Sequence, residues 1–152
     1  MSTAPKLPPS PFAPWAEIVP DAPYPMTIQD LLDWPDDGYR YELVEGVLVR
    51  VAGSGDEATT IGGLILTALN VFVLPRRLGR VTGADGVYKF PGAETGLLPD
   101  VGYYIAERRA LIEDRKKPIP FAPDLAVEVA SFDQKADELA AKAGSTSPGA
   151  RA

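Results

Sequence analysis

The fold prediction starts from two stretches, Leu98-Pro99-Asp100-Val101 and Asp124-Leu125-Ala126-Val127-Glu128-Val129-Ala130-Ser131. Within the second stretch, residues 125–130 form an apolar run broken only by Glu128, which is typical of a central strand buried on both faces. If the two stretches are neighbouring strands, Asp100 and Glu128 lie at adjacent strand ends and can hold one divalent cation. A buried carboxylate is costly unless it is paired, so Glu128 needs either a cation or a salt bridge to a core Arg or Lys.

Around these stretches the chain predicts alternating strands and helices. Residues 41–44 and 47–51 flank the two-residue turn Glu45-Gly46 and predict a hairpin. Apolar residues recur at helical spacing over residues 57–74 and predict a helix packed on a sheet. The other predicted elements are a short helix capped by Thr27 and stopped at Pro35, strands over 79–90 and 97–105, a short polar helix over 106–116, and a last helix over 133–143.

The two ends of the chain differ in composition from its middle. Eight prolines within residues 1–25 predict a flexible or polyproline-like arm. Residues 26–143 are expected to form one domain, since 152 residues suffice for one core and are few for two. Residues 144–152 have no large apolar side chain and predict a disordered tail.

Composition excludes several kinds of site. The chain has no Cys and no His, which excludes disulfides, thiolate zinc sites and imidazole ligands. Any metal must then be held by oxygen, which favours Mg²⁺ or Mn²⁺. The net charge of −6 argues against a passive nucleic-acid binder, although it does not exclude an enzyme. No apolar run reaches the ~18 residues of a membrane span and the start has no signal core, so we expect a cytoplasmic protein without a membrane partner.

Two carboxylates followed by a lysine suggest a metal-dependent nuclease. A bound metal polarises the phosphoryl oxygen, and an ammonium group helps to generate or orient hydroxide. Asp100 and Glu128 would supply the carboxylates, and Lys142 on the predicted helix 133–143 would supply the ammonium group.

Several motifs in order resemble the Uma2 family of restriction endonucleases, a branch of the PD-(D/E)XK nuclease superfamily. They are Tyr41-Glu42-Leu43-Val44-Glu45-Gly46, the strand 79–90, Leu98-Pro99-Asp100-Val101, residues 123–131 and Lys142. The resemblance spans about residues 26–143 and implies an α/β fold, a restriction-endonuclease-like mixed β-sheet flanked by helices. It also implies that Asp100 and Glu128 bind Mg²⁺, that Glu42 completes the metal site, and that Lys142 serves the attacking water.

The chain departs from the family pattern in three places. The commonest superfamily pattern has its lysine two residues after the second acid, where this chain has Ala130. Lys142 would instead reach the site from its helix, with Lys135 as the alternative. Asp56-Glu57 stands where the family usually has a histidine. A further strand and hairpin usually follow the lysine helix, so we expect a C-terminally truncated fold.

The sequence is compatible with three functions. The first is an Mg²⁺- or Mn²⁺-dependent endonuclease acting on DNA by in-line attack, with the catalytic residues Asp100, Glu128, Glu42 and Lys142. The second is a non-catalytic relative that acts as a binding or assembly module, and the third is a metal hydrolase of small phosphoesters. A homodimer is also open. Taken singly, Asp100 could be a turn residue or cap, Glu42 a surface strand residue and Lys142 a solvated side chain.

Overall fold

The computed structural model describes residues 16–92 and 94–130. In chain order the elements are β1 (Ala16–Ile18), α1 (Ile28–Leu32), β2 (Arg40–Val44), β3 (Val47–Val51), α2 (Asp56–Arg76), β4 (Gly79–Thr82), β5 (Tyr88–Phe90), β6 (Thr95–Leu97), β7 (Val101–Ile105), a 3-10 helix (Ala106–Leu111) and β8 (Leu125–Val127). The candidate lysines Lys142 and Lys135, the predicted helix 133–143 and the predicted tail lie outside the described residues.

A five-stranded sheet with the order β1-β3-β2-β6-β5 forms one half of the described fold. The predicted hairpin is confirmed as β2 and β3, and both turn residues, Glu45 and Gly46, have the positive φ that such a tight turn requires. A hydrophobic core lies against each face of this sheet. Met26, Ile28, Leu43 and Leu48 form one core, and Val44, Val47, Val49 and Leu97 form the other.

The sequence predicts a flexible arm as far as residue 25, but the sheet includes part of it. Residues 16–18 form β1 and pair antiparallel with β3. These three residues lie between Pro14 and Pro20 and keep their own N–H groups, so the prolines around them do not prevent pairing.

The second sheet has the order β4-β7-β8, and it corrects two predicted strands. The predicted strand 79–90 is two strands, β4 and β5, because residues 83–86 form a turn in which the Gly86 N–H donates to the Gly83 carbonyl at 3.3 Å. The predicted strand 97–105 divides in the same way into β6 and β7, which belong to different sheets. The break falls at Leu98-Pro99-Asp100, where Pro99 has no N–H for a ladder.

The predicted central strand over residues 125–130 is also wrong in length and position. Strand β8 covers only Leu125–Val127 and lies at the end of the described three-stranded sheet. Leu125 is 44% exposed, and Glu128 is half-buried just beyond the strand. In the described part of the chain, the apolar run therefore forms a partly exposed edge strand of the second sheet. The predicted polar helix over 106–116 is a 3-10 helix that ends at Leu111.

The two helices predicted in the first half of the chain are confirmed. Helix α1 begins with a capping box in which Thr27 and Asp30 exchange hydrogen bonds. Helix α2 extends slightly beyond both ends of the predicted range 57–74, and its first turn is acidic. A Cβ built on Gly62 would lie 3.9 Å from Val129, so a small residue there lets the chain after β8 approach the helix.

We expect Gly102→Ala to lower the free energy of unfolding by about 1–3 kcal/mol. A Cβ at this position in β7 would lie 2.4 Å from the Tyr88 hydroxyl and 2.7 Å from Thr82 Oγ1, and Tyr88 is fully buried. Urea unfolding would measure the change. The matched control is Gly63→Ala on α2, where a Cβ meets nothing within 4 Å, and which should be neutral or stabilising. Equal effects in both variants would contradict the packing argument.

Candidate active site

The register of β7 and β8 places the two candidate carboxylates at neighbouring strand ends. Val101 pairs with Val127 across the antiparallel strands. One step further along each chain, Asp100 precedes β7 and Glu128 follows β8, so continuing the same register would set the two residues opposite each other. Directly opposed residues of antiparallel chains project from the same face with Cβ atoms about 5 Å apart. The predicted neighbouring strand ends are therefore present.

Asp100 is fixed by the backbone on the other chain segment. Its Oδ2 accepts a hydrogen bond from the Val129 N–H at 2.8 Å. The described residues donate no hydrogen bond to its Oδ1. This contact fixes the carboxylate against the segment that follows β8 and leaves its second oxygen for a ligand. Asp100 itself lies in a bend between β6 and β7.

A cleft of about 440 Å³ opens at Asp100. Its walls are the first half of α2, the turn at residues 83–85, Arg40 and Asp100. Gly62 and Gly63 line the helix side of the cleft, where the lack of side chains leaves room for a ligand. The cleft therefore gives a solvent-borne substrate access to the carboxylate from one side.

Arg40 is the cationic side chain in the wall of this cleft. Its guanidinium donates to the Ala84 carbonyl and lies 3.6 Å from Asp85, whose side chain is 93% exposed. An exposed ion pair of this kind is weak, so the guanidinium can exchange Asp85 for a phosphate oxygen. Arg40 was not predicted as a site residue, because a single Arg at the start of a strand has no distinguishing pattern.

Glu42 is buried beneath the segment that carries Asp100. It is 1% exposed, on the sheet face that also carries Val44 and Val49, so it is not the surface residue of the alternative interpretation. Its Oε1 accepts a hydrogen bond from the Leu98 N–H at 2.9 Å. This contact ties β2 to the link between β6 and β7. A role for Glu42 as a third ligand stays a prediction.

A metal site of three ligands is not seen in the described ranges. Among residues 16–92 and 94–130, no group of three or more acidic side chains is arranged to hold a metal ion. Mg²⁺ often takes only one or two carboxylates and completes its shell with water and substrate phosphate. The oxygen donors of Asp100 and Glu128 fit that requirement.

Two other polar groups near the site are structural. The Tyr88 hydroxyl lies 2.7 Å from Thr82 Oγ1, and burial raises the pKa of Tyr88 to about 12, so it stays protonated at neutral pH. Asp124 accepts from the Ile105 N–H at 2.8 Å and lies 3.4 Å from Arg108. Arg108 also donates to the Ala122 carbonyl at 2.8 Å, which makes it part of the fold and not of a free basic track.

Comparison with known proteins identifies a family and a solved structure of similar fold. The family model described as Uma2, putative restriction endonuclease, matches residues 28–145. A crystal structure of a putative nuclease belonging to DUF820 from Anabaena variabilis superposes with a TM-score of 0.61 at 21% sequence identity. The match covers 78% of this chain and 65% of that one, so the chain spans about two thirds of that protein's length. No curated protein is significantly similar. The α/β, nuclease-like fold class is confirmed.

Proposed function

The chain belongs to the Uma2 family, and on that premise we propose that it is an Mg²⁺- or Mn²⁺-dependent endonuclease that hydrolyses DNA phosphodiester bonds in the cytoplasm. The family description and the fold of the solved neighbour indicate a nuclease, and hence a nucleic-acid substrate. The single observation that carries the finer proposal is the pairing of β7 with β8, which places Asp100 and Glu128 at neighbouring strand ends, with Asp100 lining a cleft.

The proposed division of labour follows from the contacts. Asp100 and Glu128 would hold the divalent cation, which when bound polarises the phosphoryl oxygen and makes a bound water more acidic. The Val129 N–H fixes the orientation of Asp100, and Glu42 fixes Leu98, two residues before Asp100. These contacts prepare the site before substrate binds, which is the condition for efficient catalysis.

Substrate binding would use the opposite wall of the cleft. Arg40 can give up its weak contact with Asp85 and bind a non-bridging phosphate oxygen, which would orient the scissile bond. The attacking water would then lie on the carboxylate side, in line with the leaving oxygen. We assign the orientation of that water to Lys142, with Lys135 as the alternative, and both residues lie outside the described ranges.

A cleavage assay with the full chain tests this proposal. Supercoiled plasmid, linear duplex and single-stranded DNA would each be incubated with Mg²⁺, with Mn²⁺ and with EDTA. We expect cleavage of DNA with either metal and none with EDTA. Hydrolysis of bis(p-nitrophenyl) phosphate without any DNA cleavage would favour the small-phosphoester hydrolase. Folded protein that binds DNA without cutting it under any condition would favour the non-catalytic binding module.

A further inference from the structure

Helix α2 presents an apolar face that the described residues leave exposed. From Ala58 to Pro75 it has no charged side chain, yet only Ala58 and Val73 are buried among its residues. Leu64 is 65% exposed and Val71 is 69% exposed. A helix face that meets only water is normally polar, so this face is suited to contact another surface.

Four of the exposed apolar residues of α2 follow the spacing of a helix-pairing seam, with the exposed Phe72 and Leu74 beside them. Ile61, Leu64, Ala68 and Val71 are separated by three, four and three positions, which is the repeat that places one stripe against a partner helix. A shallow apolar groove of about 470 Å³ runs beside the stripe, lined by Leu66, Thr67, Asn70, Val71, Leu74 and Pro75. The small Ala68 and Thr67 allow a close approach at the middle of the helix.

We propose that this seam, which we call the α2 seam, pairs antiparallel with the same seam of a second copy of this chain. The seam is symmetric in sequence about the level of Leu66: Leu64 and Ala68 lie two positions from it, and Ile61 and Val71 lie five positions from it. A two-fold axis at this level therefore sets Ile61 against Val71 and Leu64 against Ala68. Self-complementarity of this kind is what a two-fold interface requires.

The charges at the ends of α2 favour the same arrangement. The first turn carries Asp56 and Glu57, and the chain leaves the helix at Arg76 and Arg77, all four of them exposed. Asp56 and Arg76 each lie ten positions from Leu66. Antiparallel pairing therefore brings the acidic end of one helix to the basic end of the other at both ends of the seam, whereas parallel pairing would bring like charges together.

A membrane is the other occupant that the helix itself suggests. By length and hydropathy α2 could cross a bilayer, a property it shares with many core helices of water-soluble proteins. Another face of the helix, however, carries Ala58 and Val73 into the fold, so the helix cannot cross a bilayer while the described fold is intact. A second copy covers the exposed seam without disturbing that packing.

Sedimentation equilibrium of the full chain, from low to high micromolar concentration, tests this inference. We expect a monomer–dimer equilibrium whose dissociation constant rises about a hundredfold or more in Leu64→Glu and in Val71→Glu, because each places two like charges in the seam. The matched control is Leu111→Glu on the 3-10 helix, where the leucine is 59% exposed and the dimer should persist. Circular dichroism would confirm that each variant is folded.

A charge exchange supplies the second arm, since it leaves the apolar residues untouched. Arg76→Glu alone and Asp56→Arg alone should each weaken the dimer about tenfold, and the double variant should recover most of the loss. A monomer at all concentrations would overturn the proposal, as would a dimer insensitive to Leu64→Glu and Val71→Glu. Binding of the monomer to anionic lipid vesicles would assign the face to a membrane instead. None of these outcomes depends on nuclease activity.

Discussion

Glu128→Gln and Asp100→Asn are each expected to lower metal-dependent DNA cleavage by at least about a hundredfold while the protein stays folded. Each change keeps the shape of the side chain and removes one negative charge from the proposed metal site, whose Asp100 lines the cleft. In Asp100→Asn the amide oxygen of the introduced side chain can still accept the Val129 N–H, so the cross-strand contact survives. Glu128→Gln keeps the volume of the half-buried side chain, and we expect its thermal midpoint to change little.

The measurement pairs cleavage with Mg²⁺ binding by calorimetry and with thermal melts. Asp85→Asn is the matched control, because Asp85 lines the same cleft but has a side chain 93% exposed, and its ion pair is with Arg40. That control should cut DNA at close to the normal rate. Normal cleavage by Glu128→Gln would show that the site lies elsewhere in the chain.

The neighbouring positions of the strand ends at Asp100 and Glu128 could be predicted from the sequence because they depend on the order of apolar strands and adjoining acids. Each acid adjoins an apolar strand, and antiparallel pairing of two such strands brings their ends together. The hairpin at Glu45-Gly46 could be predicted for a similar reason, since its turn chemistry is local. Features that can be read from short stretches of sequence, such as a turn or an acid at a strand end, are therefore the ones that sequence reasoning recovers best.

The predicted strand lengths failed where the chain changes sheets. Residues 83–86 and 98–100 look like short interruptions of apolar runs, but in the structure each passes the chain between the two sheets. Nothing local distinguishes such a crossing from a bulge, because the decision lies in which distant strand is available for pairing. Arg40 was missed for the same reason. Its place in the cleft wall depends on the turn at 83–85, which is distant in the sequence.

The buried state of Glu42 also depends on distant residues, and it leads to the second large effect. Glu42→Ala is expected to lower the free energy of unfolding by about 2–4 kcal/mol. The change leaves a cavity beside Val49 and removes the acceptor of the Leu98 N–H. It also frees the link that leads to Asp100, so cleavage should fall together with stability.

Glu42→Gln separates a positioning role from a metal-binding role. The glutamine keeps an acceptor for the Leu98 N–H and fills the same volume, so stability should fall by about 1 kcal/mol or less. If Glu42 only positions the Asp100 segment, this variant retains most of its cleavage and Mg²⁺ affinity. If Glu42 is a ligand, both are lost as in Glu128→Gln, although the protein remains nearly as stable as before. Urea unfolding and calorimetry on the two Glu42 variants distinguish these outcomes, and wild-type stability in Glu42→Ala would contradict the structural role of the Leu98 contact.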